Sequence, residues 1–434
     1  MYIWTREGLG RLPTSYRCDP SIGWYGLGQL IPDRGCLMDL KCAPHQHVLR
    51  FCADGKSFTS ATSPTTMKRP AMNPGFFRTS DGFHEFDTVL HSKLQNLILN
   101  TPKYAAMLSA ESRKNRAPGP NDRVRVALVD LTGNKICKPG YADWGSTIPI
   151  TGGSTAKIAI LYASHQLLFD LNEMARTGAI KTVADLKKKA LNDVWIQLIC
   201  PPDLDWLVEF DTTGPTVRAK ASKNLDLHLK QMVIASFSDS SVGRANQLII
   251  RLGFEYIASV MWQSGLRFSR TQGLWVRNTY QQAKILAPVN PKCNYKKRFK
   301  TPDGDRERII WYHDPSDDPE FRLTALSVVS FFTLLAQRRL VNEPTSMAME
   351  ALLKQGCIFP LDPFPVSDIK VRATKCGLTS DVMHVATLLE STSGNRRYAL
   401  AVLTLRSGEA EFKTRAFLNS FVKDVDRLVK ENNP

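Results

Sequence analysis

Two side chains one helical turn apart set the chemistry this sequence can do. In Gly152-Gly153-Ser154-Thr155-Ala156-Lys157 a serine is followed three positions later by a lysine, and then by Ile158, Ala159, Ile160, Leu161, Tyr162 and Ala163. Residues i and i+3 share a helix face. A run that is apolar on every side belongs to a helix buried all round, where an ammonium is costly unless it is paired or loses its proton. A serine hydroxyl is a weak nucleophile until a base stands within hydrogen-bond reach. Desolvation and a neighbouring cation can bring a lysine from ~10.4 down by about three units, roughly 4 kcal/mol, into the range of a working base. Ser154 and Lys157 therefore read as nucleophile and base, with the helix N-terminus offering N–H groups to a developing oxyanion. The plainer role of Ser154 is a helix N-cap.

The pattern S-x-x-K occurs three times, at Ser154/Lys157, Ser367/Lys370 and Ser420/Lys423, and only the first has a Gly-Gly entry and an apolar continuation. Two further motifs keep it company: Ser238-Asp239-Ser240 within SFSDSSVGRANQLIIRLG (236–253), and Lys375-Cys376-Gly377 within ATKCGLTS (373–380). Read alone, Ser-Asp-Ser-Ser before a helix is a turn or cap, and Lys375 an exposed strand residue. In this order the three motifs resemble those of the penicillin-recognising serine enzymes, most closely the class A β-lactamases, which carry S-x-x-K, S-D-N and K-T-G. The resemblance covers roughly residues 85–434 and expects the third motif to begin a strand.

The resemblance implies an acyl-enzyme on Ser154, formed as Lys157 accepts the hydroxyl proton. It implies that Ser238 shuttles a proton to the leaving nitrogen, helped by Lys375, and that the N–H groups of Ser154 and Leu378 form the oxyanion hole. Ser240, Cys376, Gly377 and Leu378 would line the substrate. The implied partner is a small acyl compound, whether β-lactam, peptide or ester, and no cofactor or metal is expected. Three departures shape the expectation. Ser240 replaces an asparagine, and Cys376 puts a weak S–H donor where the family has a hydroxyl. No E-x-x-L-N loop occurs between 253 and 323, where Glu307 and Glu320 are the nearest acids. Acylation is therefore expected to outrun deacylation. Two alternatives stand beside this one: an esterase or amidase using the same pair, which needs no carboxylate-binding hydroxyl, and a scaffold or binding protein of the same fold.

The elements that must position these groups follow from periodicity. Residues 84–102 keep helical spacing through Phe86, Leu90, Leu94, Leu97 and Ile98. Residues 123–136 alternate as a strand into a Thr-Gly-Asn turn. Helical patterns dominate from about 180 to 355, interrupted by a polar stretch at about 276–321 that reads as an insertion or lid. Strands return at 370–379, 381–391 and 396–406, and an amphipathic helix closes the chain at 414–431. The economical fold is α+β: a β-lactamase/transpeptidase-like antiparallel sheet from both chain ends (85–178 and 356–434), flanked by helices, with an inserted all-helical lobe (179–355). Residues 1–84, rich in Gly, Pro, Ser and Thr, form an accessory extended segment.

Bulk composition bounds the alternatives. The 434 residues are 43% hydrophobic and 23% charged, ample for a packed core. No apolar run reaches the ~18 residues of a membrane span, and the N-terminus carries charge and Gly/Pro too early for a secretory signal, although the resembling family is usually exported. The 57 basic and 41 acidic residues leave +16, read as a generally basic solvated surface. Its basic clusters do not interleave with aromatics, so nucleic acid is not expected as a partner. Of nine cysteines, Cys36, Cys42 and Cys52 lie close to His45 and His47. That group reads either as free thiols or disulfides or as a zinc site, though its spacing matches no common finger.

Overall fold

A computed structural model describes residues 85–136, 138–194, 201–234, 239–267, 272–274, 276, 295–301, 304–310, 322–356, 361, 364–406, 408 and 411–433, with short strands at 2–5, 8–11, 26–27 and 47–48. Six strands form the main sheet: β1 (Glu85–Phe86), β2 (Val124–Asp130), β3 (Gly140–Trp144), β4 (Ile369–Leu378), β5 (Val382–Ser391) and β6 (Arg397–Leu405). Their spatial order is β4-β5-β6-β2-β3-β1, antiparallel except for the β1–β3 pair. The strands expected at 370–379, 381–391 and 396–406 correspond to β4, β5 and β6. The Thr-Gly-Asn turn after β2 is a short 3-10 helix, Gly133–Ile136, with Gly133 at φ +55°.

The helices are α1 (Thr88–Asn100), α2 (Lys157–Thr177), α3 (Lys223–Ile234), α4 (Asp239–Leu252), α5 (Phe254–Gln263), α6 (Ala325–Ala336), α7 (Glu343–Lys354) and α8 (Glu411–Glu431). One sheet face presents Val126, Leu128, Val385, Leu400 and Val402 to α1 and α8, whose Leu90, Leu94, Phe421 and Val425 are fully buried there. The other face presents Ala127, Ala386, Ala399 and Ala401 beside Val129, Leu388 and Leu403, and belongs to the core that also contains α2 and α6. The four alanines leave room for α6 against the strands, and every residue of that helix is buried. Sequence order assigned this helix to the inserted lobe; it packs on the sheet instead. Hydrophobicity on every side says that a helix is buried but not against what.

The lobe gathers α3, α4 and α5 around α2 and includes a short antiparallel hairpin, Val208–Asp211 with Arg218–Ala221. Within the polar stretch, Tyr295–Thr301 pairs antiparallel with Gly304–Ile310.

Candidate active site

The site is built where the lobe meets the sheet edge. Ile150–Thr151 pairs with Arg322–Leu323 and is tied to the sheet by His384. The Thr404 N–H donates to His384 Nδ1 (3.1 Å), so Nε2–H donates to the Thr151 carbonyl (2.6 Å). Burial holds this imidazole down at about 4, so it is a neutral strut. The chain then turns through Gly152-Gly153 into a 3-10 turn, Gly153–Ala156, that runs straight into α2 at Lys157. Gly153 sits at φ +48°, a region that favours glycine.

Strand β4 crosses this turn in tight contact. A Cβ on Gly377 would lie 2.8 Å from Thr155 Oγ1, 3.0 Å from the Gly152 carbonyl oxygen and 3.1 Å from His384 Cδ2. A Cβ on Gly153 would stand 3.6 Å from the Leu378 nitrogen and 3.3 Å from Val382. The absent side chains bring the backbone of the Ser154 turn beside the backbone N–H of Leu378, an arrangement that suits two N–H donors sharing one oxygen.

Ser154 is buried at 8% exposure, Lys157 is wholly buried and Lys375 is 1% exposed. Desolvation drives the Lys157 amine down from 10.5 to about 7; the charge of Lys375 adds to this and Cys376 opposes it. Near neutral pH a large fraction of Lys157 is an uncharged amine with a lone pair. Its Nζ donates to the Ser241 hydroxyl at 2.7 Å, and that hydroxyl donates to the Met232 carbonyl at 3.1 Å.

The structure thus gathers Ser154, Lys157, Lys375, Cys376, Gly377 and Leu378. The third motif ends β4 where the sequence reading expected it to begin a strand, because the apolar positions upstream, Ile369 and Val371, extend the pairing toward the N-terminus. Ser238 lies outside the described residues, and Ser240 is described only as backbone in the first turn of α4. Ser241 was missed by motif reading. A helical-face count would have singled it out: Ser241, Ala245, Leu248 and Leu252 recur at one-turn intervals, and all are fully buried.

Glu307 is described only as backbone in the hairpin of Tyr295–Thr301 with Gly304–Ile310, and His47 only as backbone in the strand at 47–48; Glu320, Cys36, Cys42, His45 and Cys52 lie outside the described residues. Among the described residues no group of three His, Cys, Asp or Glu side chains could hold a metal ion, and no helix is long and apolar enough to cross a membrane.

No protein-family model matches the sequence, and no curated protein matches it. Solved structures are similar in architecture. PBP-A is 14% identical at a TM-score of 0.42, over 80% of this chain and 96% of that one. A β-lactamase from Sphaerobacter thermophilus is 12% identical at 0.42, over 79% and 96%. A class A β-lactamase from Bacteroides cellulosilyticus is 13% identical at 0.43, over 79% and 99%. The described fold is α+β, a mainly antiparallel sheet from two separated chain segments flanked by helices.

Proposed function

We propose that this chain is a serine acyl-transfer enzyme in which Ser154 is the nucleophile and Lys157 its base. The observation that carries the reading is the Lys157 amine: wholly buried, brought to about 7, and one turn from Ser154. Lys157 Nζ takes the Ser154 hydroxyl proton as Oγ attacks a carbonyl carbon. The carbonyl oxygen becomes an oxyanion between the N–H groups of Ser154 and Leu378. As the tetrahedral species collapses, the C–N or C–O bond breaks and the proton returns to the leaving atom, with Ser238 as relay. Lys375 supplies the neighbouring positive charge that favours the neutral amine. No candidate deacylating carboxylate stands among the described groups of the site, so the covalent adduct is expected to persist.

A fluorescent penicillin followed by intact-protein mass spectrometry tests this. The expected result is one adduct on the wild type and none on Ser154→Ala. No adduct with either a penicillin or a fluorophosphonate would leave only a scaffold. An ester or amide substrate is the second reading. It is favoured by Cys376, whose buried thiol is a weak donor for a substrate carboxylate. Faster turnover of p-nitrophenyl esters than of nitrocefin would select it.

A further inference from the structure

We propose that Ser241 is a positioning residue for Lys157: it holds the amine through one N–H so that the nitrogen lone pair is left for the Ser154 hydroxyl, and it carries no proton itself. This rests on the reading of Ser154 and Lys157 given above and assigns a role to a residue outside all three motifs.

The direction of the hydrogen bonds carries the argument. Lys157 Nζ donates to Ser241 Oγ at 2.7 Å, and Ser241 Oγ donates onward to the Met232 carbonyl at 3.1 Å. Every hydrogen in the chain therefore points away from the lysine and ends on a peptide oxygen, which cannot retain a proton near neutral pH. A relay to a leaving group would need the Ser241 hydrogen to point at the leaving atom, and here it is donated to the Met232 carbonyl. The arrangement is rigid. Met232 lies in the last turn of α3, where carbonyls lack helical partners, and Ser241 lies in the first turn of α4. One hydroxyl thus joins α2, α3 and α4, with Ser241 and Met232 both fully buried.

A neutral amine has two N–H bonds and one lone pair. Fixing one N–H on the Ser241 hydroxyl restricts rotation about the terminal C–N bond and so limits the directions in which the lone pair can point. The hydroxyl oxygen also accepts more strongly from an ammonium than from an amine, so it partly offsets the acidifying effects of burial and of the Lys375 charge. Lys375 lowers and Cys376 raises the amine's pKa by their charges, and both lie on β4.

The test is Ser241→Ala, with Ser241→Cys as a volume-conserving variant should alanine fold poorly. The Lys157 titration is followed by NMR of labelled lysine side chains in a Ser154→Ala background, where no acylation is required. The expected midpoint falls by about 0.5–1 unit in the alanine variant and by less in the cysteine variant, because the ammonium loses an acceptor. In the Ser154-containing protein, acylation on the alkaline plateau is expected to fall ~10–100-fold, equally for nitrocefin and for a p-nitrophenyl ester, since misplacement of the base affects both. An unchanged midpoint would overturn the proposal. So would a loss confined to nitrocefin, which would make Ser241 a proton donor to the leaving nitrogen. A wild type that acylates nothing would end the reading of the site, yet the midpoint comparison would still decide whether Ser241 governs the amine.

Discussion

Arg372 and Lys375 stand three residues apart on strand β4, yet the protein treats their charges in opposite ways. Arg372, at the bulge between Val371 and Ala373, meets carboxylates on two sides. Its guanidinium reaches Glu350 of α7 at 2.7 Å and Glu390 of β5 at 3.3 Å, and Arg338 shares Glu350. The hydrogen bond to Glu350 raises the Arg372 pKa. Lys375 instead sets its charge near a second lysine, Lys157, and helps to lower that neighbour's pKa. One end of the strand answers charge with opposite charge; the other places like beside like in a dry interior. The first arrangement serves stability, and the second gives up stability to hold an amine without its proton.

The largest expected effect comes from abolishing the second arrangement. Lys157→Met removes the base and is expected to lower acylation by ~10²–10⁴-fold. It should also stabilise the protein near neutral pH. The folded Lys157 sits at about 7 against 10.5 for an ordinary lysine, so the unfolded chain binds an extra proton between those values. The resulting penalty on folding is complete below about pH 7, shrinks as pH rises, and is gone near 10.5. Its size is about 5 kcal/mol before relaxation. Thermal melts should therefore show the variant more stable than wild type at pH 7, with the gap narrowing by pH 10; a destabilised variant at pH 7 would sink the contrast. In the wild type, acylation is expected to rise with pH through about 7 as Lys157 loses its proton.

A smaller effect is expected from disturbing the contact rather than the charge. Gly377→Ala drives a Cβ to 2.8 Å from Thr155 Oγ1 and 3.0 Å from the Gly152 oxygen. Backbone cannot yield as a flexible side-chain tip does, so β4 must move off the Ser154 turn, at about 1–3 kcal/mol of overpacking. The Leu378 N–H moves with it, and the loss of one aligned oxyanion donor is worth ~10²-fold in rate. Acylation rates on the variant, with the Lys157 midpoint measured alongside, separate the two ends of the mechanism: the rate should fall and the midpoint stay near wild type. An unimpaired rate would show that the Leu378 amide does not serve the oxyanion.

Which of these features the sequence exposes depends on whether local pattern or three-dimensional register decides them. The strands of both chain ends were legible because alternation survives in Val124, Val126 and Leu128, and again in 381–391 and 396–406. The burial of Lys157 was legible because nothing in the following helical turns offers water a way in. The end of β4 was less so: the bulge at Arg372 breaks the two-residue period, so the run before Lys375 reads out of phase. The stretch Ser238-Asp239-Ser240-Ser241 offers three hydroxyls within four residues, and motif spacing selects the first while the buried face of α4 selects the last. The association of α6 with the sheet was not legible at all, because a helix that is apolar on every side carries no mark of its partner.

The smallest catalytic effect, and the sharpest control on the contrast along β4, is expected from the paired end. Glu350→Gln removes the charge that Arg338 and Arg372 share while keeping the side chain's shape. Fully buried pairs lose ~3–5 kcal/mol when one partner is removed; here the two arginines are partly exposed, so about 2 kcal/mol is expected. Denaturant unfolding should show that loss at pH 7. The Lys157 midpoint should not move, because the groups that set it are burial, Lys375 and Cys376. A midpoint that shifted with Glu350→Gln would mean that the two ends of β4 are electrically coupled, and that the paired arginine also helps to hold the amine neutral.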